Sequence, residues 1–575
     1  MANKLTLFVL LLAVAGSVVA QESPRIDTPL PQPIDSTFMR DETGAIVRRD
    51  GLPVIRGGPF TVNTTADNTI PGDGFCTLRE AVNNANANAD TTSGDCPAGD
   101  YLPTDRIYLP AGRYRLHTGF DDTNQHGDLD VLSAGGSLRL IGADAGTTTI
   151  QGPGYVVGTD RLLHLGVDGP AAVEVDIVNL TLRDGHAPQG GGAIYANGVS
   201  VLVDHSLIAE NEAIFAGGMT NNGNGGGIYM NGGSLTILNS ELFSNTARTG
   251  VVYDVQGGAI HATNGATVLI EDSVLRENRT RVTDTGSGRT SAGAIFFDGT
   301  ELTIRASKLV SNSVAAIFST GKGFGGAIYF NGARLVIEES TLAGNTAGEA
   351  AGALYHSGGQ CEIVRSTFSG NQVSEGYGAA IINTSLMTIT NSTLSGNVAL
   401  MTAGGLSNGF SGQLMLRHTT IADNTCATAG GFMGSGCGVH HWGMAVLVQN
   451  SILAGNRDLG SGRPLSPDAA GTFTSLGHNL VGDGSSAGGF VDGVNGDQVG
   501  SSAVPHNARL LPLGRYGGFT LTHLQVWGSP TIGAIPAALC LPIDQRGVNR
   551  LLDADCDIGA VEYDGAPCFL PVVVK

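Results

Sequence analysis

The chain has 575 residues, of which 14% are charged and 86 are Gly, and its formal net charge is −20. An acidic chain without a basic stripe argues against a nucleic-acid binder and against a protein drawn to anionic membrane. Length alone would allow several domains.

Residues 1–20 have the pattern of a secretory signal: Lys4, an apolar run from Leu5 to Ala15, and small residues ending at Ala20. No later segment offers some 18 consecutive apolar residues, so no transmembrane segment is expected in the mature chain. Residues 21–58 are rich in Pro, Asp and Arg, lack periodicity and read as a flexible spacer.

Residues 59–116 form a distinct module. CTLREAVNNANAN (76–88) predicts a helix, with Thr77 and Glu80 spaced as a capping box. YLPTDRIYLPAGRYRL (101–116) returns to strand pattern. The first rung of a solenoid exposes a strand edge that needs covering, and this module is placed to cap it.

From 117 to 456 the chain repeats. A segment of the form apolar-x-apolar-x-x-Ser/Thr-x-apolar-x-x-Asn recurs, closing at Asn211, Asn245, Asn278, Asn312, Asn345, Asn371, Asn397, Asn424 and Asn456. Between the closings lie GGGAIYANG (190–198), GGGIYMNG (225–232), GGAIHATNG (257–265), AGAIFFDG (292–299), GGAIYFNG (325–332) and AGALYHSG (351–358). The period-2 alternation is that of strands: in GSLTILNSELFSN (233–245), Leu235, Ile237 and Leu242 face inward. The expected fold is therefore all-β, a right-handed parallel β-helix with a small helix-containing N-terminal cap. The repeated Ser and Asn fall at corners, where they can bond the next rung or their own copies.

Residues 457–575 are richer in Pro and Gly and form the C-terminal end. The eight cysteines all lie beyond the signal, which suits an oxidising compartment. Proximity favours Cys76–Cys96, Cys426–Cys437 and Cys540–Cys556, and leaves Cys361 and Cys568. Cys361 takes an inward position and reads as a buried free thiol.

CTLREAVNNAN resembles the Cys-Ser-Leu-Arg-Glu-Ala N-terminal module of exported bacterial β-helix proteins, with Thr77 in place of the usual Ser. DQRGVNR (544–550) and DIGAVE (557–562) are similar to the end of the choice-of-anchor Q domain, and the GGAIY units more loosely to polymorphic outer-membrane adhesin repeats. The resemblance implies a right-handed β-helix at the cell surface or outside it.

Stacked in register, the GGAIY units put Tyr195, Tyr229, His261, Phe296, Tyr329 and Tyr355 in one outward row, followed by Ile382, Ser407 and His440. Six rings in line could stack on the sugars of an extended polysaccharide, form a stabilising outer stack, or lie beneath loops. The segments before the Gly-Gly units are long at 212–224, 246–256, 279–292, 313–324 and 425–436, and short at 346–350, 372–376 and 398–402, which leaves a dip beside the row. In DDTNQHGDLD (121–130), Asp121, Asp122, Asp128 and Asp130 are hard oxygen ligands for calcium, though a polar turn entering the first rung is the favoured reading and no metal or cofactor is expected. His440 and His441 point to opposite faces of a strand, so they and Cys426 and Cys437 make no zinc site. Glu271, Arg305 and Glu338 alternate in sign and fit a salt-bridge ladder better than an acid–base pair. The expected function is a secreted, non-catalytic surface for polysaccharide or cell-surface glycan. The alternative is a polysaccharide lyase or glycoside hydrolase, which a convergent acid pair or calcium site would favour.

Overall fold

The computed structural model describes residues 59–99, 104–119, 122–154, 160–215, 223–249, 254–282, 289–316, 323–427, 436–444, 446–459, 467–551 and 554–565, with the antiparallel strands Phe38–Arg40 and Ile46–Arg48. The signal segment 1–20, most of the spacer, Asp121 and Cys568 lie outside the described residues.

The chain is a right-handed parallel β-helix. Each regular rung contributes strands to four parallel sheets. Sheet I has 14 strands, from Pro59–Thr61 to Thr474–Ser475, and sheet II has 14, from Gly112–Arg115 to Gln498–Val499. Sheet III has 10, from His186–Ala187 to Arg457–Asp458, and sheet IV has 13, from Leu129–Val131 to Ser486–Gly488. Equivalent residues stack without slippage: Leu235 pairs with Val268, then Leu302, Leu335 and Cys361 along sheet I. All five are buried, as are Ile237 and Leu242, so the alternation read in 233–245 is the core pattern. Cys361 is a buried free thiol.

The corners explain the repeated polar residues. Between sheets I and II one residue per rung turns the chain with positive φ, as at Asn239 (46°), Asp272 (48°) and Glu339 (49°). That left-handed conformation costs a non-Gly residue roughly 1–2 kcal/mol, so the corner needs compensating bonds. The next residue supplies them: the Ser240 N–H donates to Ser273 Oγ at 3.1 Å, and Ser240 Oγ donates to the carbonyl of Leu238. At the following corner the asparagines form a buried ladder. From Asn211 to Asn424 each side-chain amide donates to the Oδ1 of the next at 2.8–3.0 Å. Asn456 ends the ladder on Asp468, whose carboxyl is pushed up to about 7 by burial.

The N-terminal helix Leu78–Ala87 carries the capping box, Thr77 accepting from the Glu80 N–H while Glu80 accepts from that of Thr77. Its Arg79, 1% exposed, pairs with Asp67 at 2.7 Å and donates to the carbonyls of Gly127 and Asp128. The helix is thereby tied to the turn that enters the first strand of sheet IV. The disulfides are Cys76–Cys96, Cys426–Cys437 and Cys540–Cys556.

At the other end the chain folds back onto the outside of sheet II. Gln545 bonds Thr393 and Thr367, Ala560 N–H donates to Thr420, and Arg550 reaches Asn391 at 2.9 Å. Buried Arg550 pairs with Glu562, and Arg546 with buried Asp544. Asp544, Arg546 and Arg550 of DQRGVNR and Glu562 of DIGAVE thus form the ionic core of this fold-back.

Candidate functional site

Sheet IV carries the outward row, and its register settles what stands in it. Asp130 pairs with His164, His164 with Tyr195, and the row continues through Tyr229, His261, Phe296, Tyr329 and Tyr355 to Ile382, Ser407 and His440. The six rings stack nearly parallel, with centroids 4.7–5.3 Å apart. Their faces are therefore turned to one another along the axis, and edges and phenol hydroxyls point away from the sheet. His261 is 5% exposed and Phe296 9%, while the four tyrosines are half-buried. Packing beside the row contributes: the Gly190 backbone lies against Tyr229, where a Cβ would come within 2.7 Å of the ring, and Phe324 meets Tyr355 edge-on.

Two rungs earlier the row becomes polar. One atom each of Asp122, Asp130 and His164 lie within 4.8 Å of one another, and His164 Nδ1 is 3.5 Å from Asp122 and 3.6 Å from Asp130. Arg161 stands over the Tyr195 ring at 5.2 Å and close to Asp128 and Asp160. His164 also meets Tyr195 edge-on. Asp122 is the solvent-facing member, its side chain 75% exposed against 15% for His164 and 1% for Asp130.

Local structure fixes this geometry. Asp130 and Asn124 bond each other through backbone and side chain, and Asn124 is held by Arg79 and Asn83. Burial, reinforced by Arg161, lowers the His164 pKa to about 4, so the ring is uncharged at neutral pH. Burial and then the neighbouring Asp160 push the Asp128 carboxyl well above its usual range.

Of the four carboxylates singled out in 121–130, Asp122 and Asp130 converge, Asp128 turns to Arg161, and Asp121 lies outside the described residues. An imidazole beside two carboxylates is a donor set for a transition ion more than the all-oxygen set calcium prefers. His164, Asp160 and Arg161 escaped the sequence reading because the GGAIY motif begins only at residue 190. The strand LLHL (162–165) lacks the glycines that mark later units, and only the register adds it to the row. The ion-pair ladder does form, Arg305 lying 3.0 Å from Glu338 and 3.9 Å from Glu271.

No protein-family model matches the chain, and no curated protein matches it. The chain is similar to solved structures of the catalytic domain of a GH87 alpha-1,3-glucanase. They are a complex with nigerose and two substituted forms, one with nigerose and one with tetrasaccharides. Identity is 12%, the match covers 65% of this chain and 64% of theirs, and the TM-scores are 0.30, 0.30 and 0.29. At those values the likeness carries no argument about activity. Among the described residues no helix is long and apolar enough to cross a membrane.

Proposed function

We propose that this β-helix is an exported, carbohydrate-active protein that engages polysaccharide along the outward side of sheet IV and cleaves it at the polar cluster. The observation that carries this reading is the convergence of Asp122, Asp130 and His164 beside Tyr195. Breaking a glycosidic bond requires a proton donor at the leaving oxygen and a base or nucleophile that serves the anomeric carbon from the other face. Asp122 is the carboxylate that a sugar can reach, and uncharged His164 beside it can accept a proton. Behind them, burial and the neighbouring Asp160 push the Asp128 carboxyl up. Neighbouring groups whose pKa values are pushed in opposite directions are what acid–base chemistry uses. The net charge of −20 and the carboxylates of the cluster favour a neutral glycan over a uronate polymer. The three disulfides support an oxidising, extracellular setting.

Replacing Asp122 by Asn, or His164 by Gln, should lower product release from a neutral polysaccharide by roughly 100-fold with thermal stability kept. Wild-type activity should fall as pH drops through about 4, where His164 gains a proton. Variants that release product at the wild-type rate would remove the cluster from the reaction. One observation favours a second reading: Asp128 and Asp130 are each 1% exposed, as in a joint between cap and helix. Under it the row retains glycan without cutting it.

A further inference from the structure

Sheet IV gives up its rings after Tyr355, where Ile382 and Ser407 take the outward places before His440. The rungs of Tyr355, Ile382 and Ser407 are also those with the shortest connections, at 346–350, 372–376 and 398–402. The space is filled from the side. Trp442, one residue past the strand Val439–His441, meets His440 edge-on at 4.8 Å and Tyr377 at 5.7 Å. Tyr377 belongs to the rung of Ile381 and His440 to the rung two further on, so the indole spans the intervening strand Leu406–Asn408. Phe410, at the corner after that strand, lies 6.3 Å from the indole with its ring tilted by 33°. The two corners are packed together, the Trp442 N–H donating to the carbonyl of Asn408 and Gly443 lying against the Phe410 backbone.

Unlike the stack of six, this cluster is open. Phe410 is 77% exposed, Met444 58% and Trp442 40%. Its nearest imidazole, His440, is kept uncharged at neutral pH by burial, and the exposed acid Glu375 stands two residues from Tyr377. Exposed aromatic surface beside an uncharged imidazole suits the apolar face of a sugar, and an exposed carboxylate two residues along the chain disfavours an anionic one.

We propose that Tyr377, Phe410 and Trp442 form a binding platform for a neutral pyranose unit of a polysaccharide. It lies ten strands along sheet IV from Asp130, roughly 48 Å at the spacing of paired strands. It is therefore separate from the polar cluster. The inference rests on polysaccharide being the ligand but not on cleavage.

The chain has two tryptophans, so Trp527→Phe in the otherwise intact protein leaves Trp442 as the sole indole reporter. The variant is titrated with soluble neutral glucans of α-1,3, α-1,4, β-1,3 and β-1,4 linkage, and with polygalacturonate as the anionic probe. The expected result is a saturable change in Trp442 emission with at least one neutral glucan and none with polygalacturonate. Phe410→Ala, at an exposed site, should weaken that binding about tenfold at unchanged melting temperature. An emission change without soluble products would sink cleavage and leave the platform standing. No emission change with any neutral glucan, or a response to polygalacturonate alone, would overturn the platform. So would retention on neutral glucan that is unaltered in Trp442→Ala and Phe410→Ala. Products released equally by wild type and Trp442→Ala, with no emission change, would refute the platform while leaving the polar cluster untouched.

Discussion

His261 stands third in the stack of six rings, between Tyr229 and Phe296, and burial lowers its pKa to about 3. Among the described residues its Nδ1 has no hydrogen-bond partner. Folded, the ring stays uncharged; unfolded, it binds a proton below about 6.5. Between pH 3 and 6.5 the unfolded state therefore holds more protons at this site, and the stability it contributes rises with pH and levels off above 6.5. Replacing His261 by Phe keeps an aromatic ring in the stack and removes that titration. The melting temperature of His261→Phe relative to wild type should be distinctly higher at pH 4.5 than at pH 8, and an equal difference at both would show that His261 is charged in the folded state. The row itself was legible from the GGAIY spacing alone. The way its rings meet was not, because face-to-face stacking depends on side-chain rotation and a 2-residue alternation gives only the side of the strand.

At the scale of elements, the two ends of the solenoid are each held by a buried arginine. Arg79 links the helix Leu78–Ala87 to Asp67 and to the turn 124–128, and Arg550 links the C-terminal fold-back to Asn391 and Glu562. Replacing Arg79 by Met takes the guanidinium from the Asp67 carboxylate, 6% exposed and left with the His117 N–H, and strands two carbonyls, and should cost about 3–5 kcal/mol in denaturant unfolding. The same turn positions Asp130, so the variant should also lose function at the polar cluster. A loss below 1 kcal/mol would mean that the cap is held mainly by apolar packing. The helix and its capping box could be read from CTLREA because both are local. The partners of Arg79, 45–49 residues away, could not. The C-terminal fold-back left one trace in the sequence: Thr341, Thr367, Thr393 and Thr420 follow one another in the outward row of sheet II, and the last three are its docking surface. A run of short hydroxyl side chains on an outer face is compatible with open solvent too, so the trace alone did not distinguish the two.

For the whole molecule, the repeat made the architecture readable because every rung obeys one register, and the inward Leu, Ile and Val, the corner Ser and the Asn ladder all follow from it. The polar cluster lies where that register begins, before the repeat is regular, and it joins residues from a turn and two strands that no spacing connects. The open ring cluster lies where the repeat shortens, and it too is built from corners. Both candidate sites thus sit at departures from the pattern that reveals the fold. The most direct measurement is to incubate the purified wild-type chain from Gln21 onward with insoluble and soluble neutral polysaccharides and record both retention and soluble products. The account predicts retention on at least one neutral polysaccharide together with released oligosaccharides; neither retention nor products on any of them would contradict it.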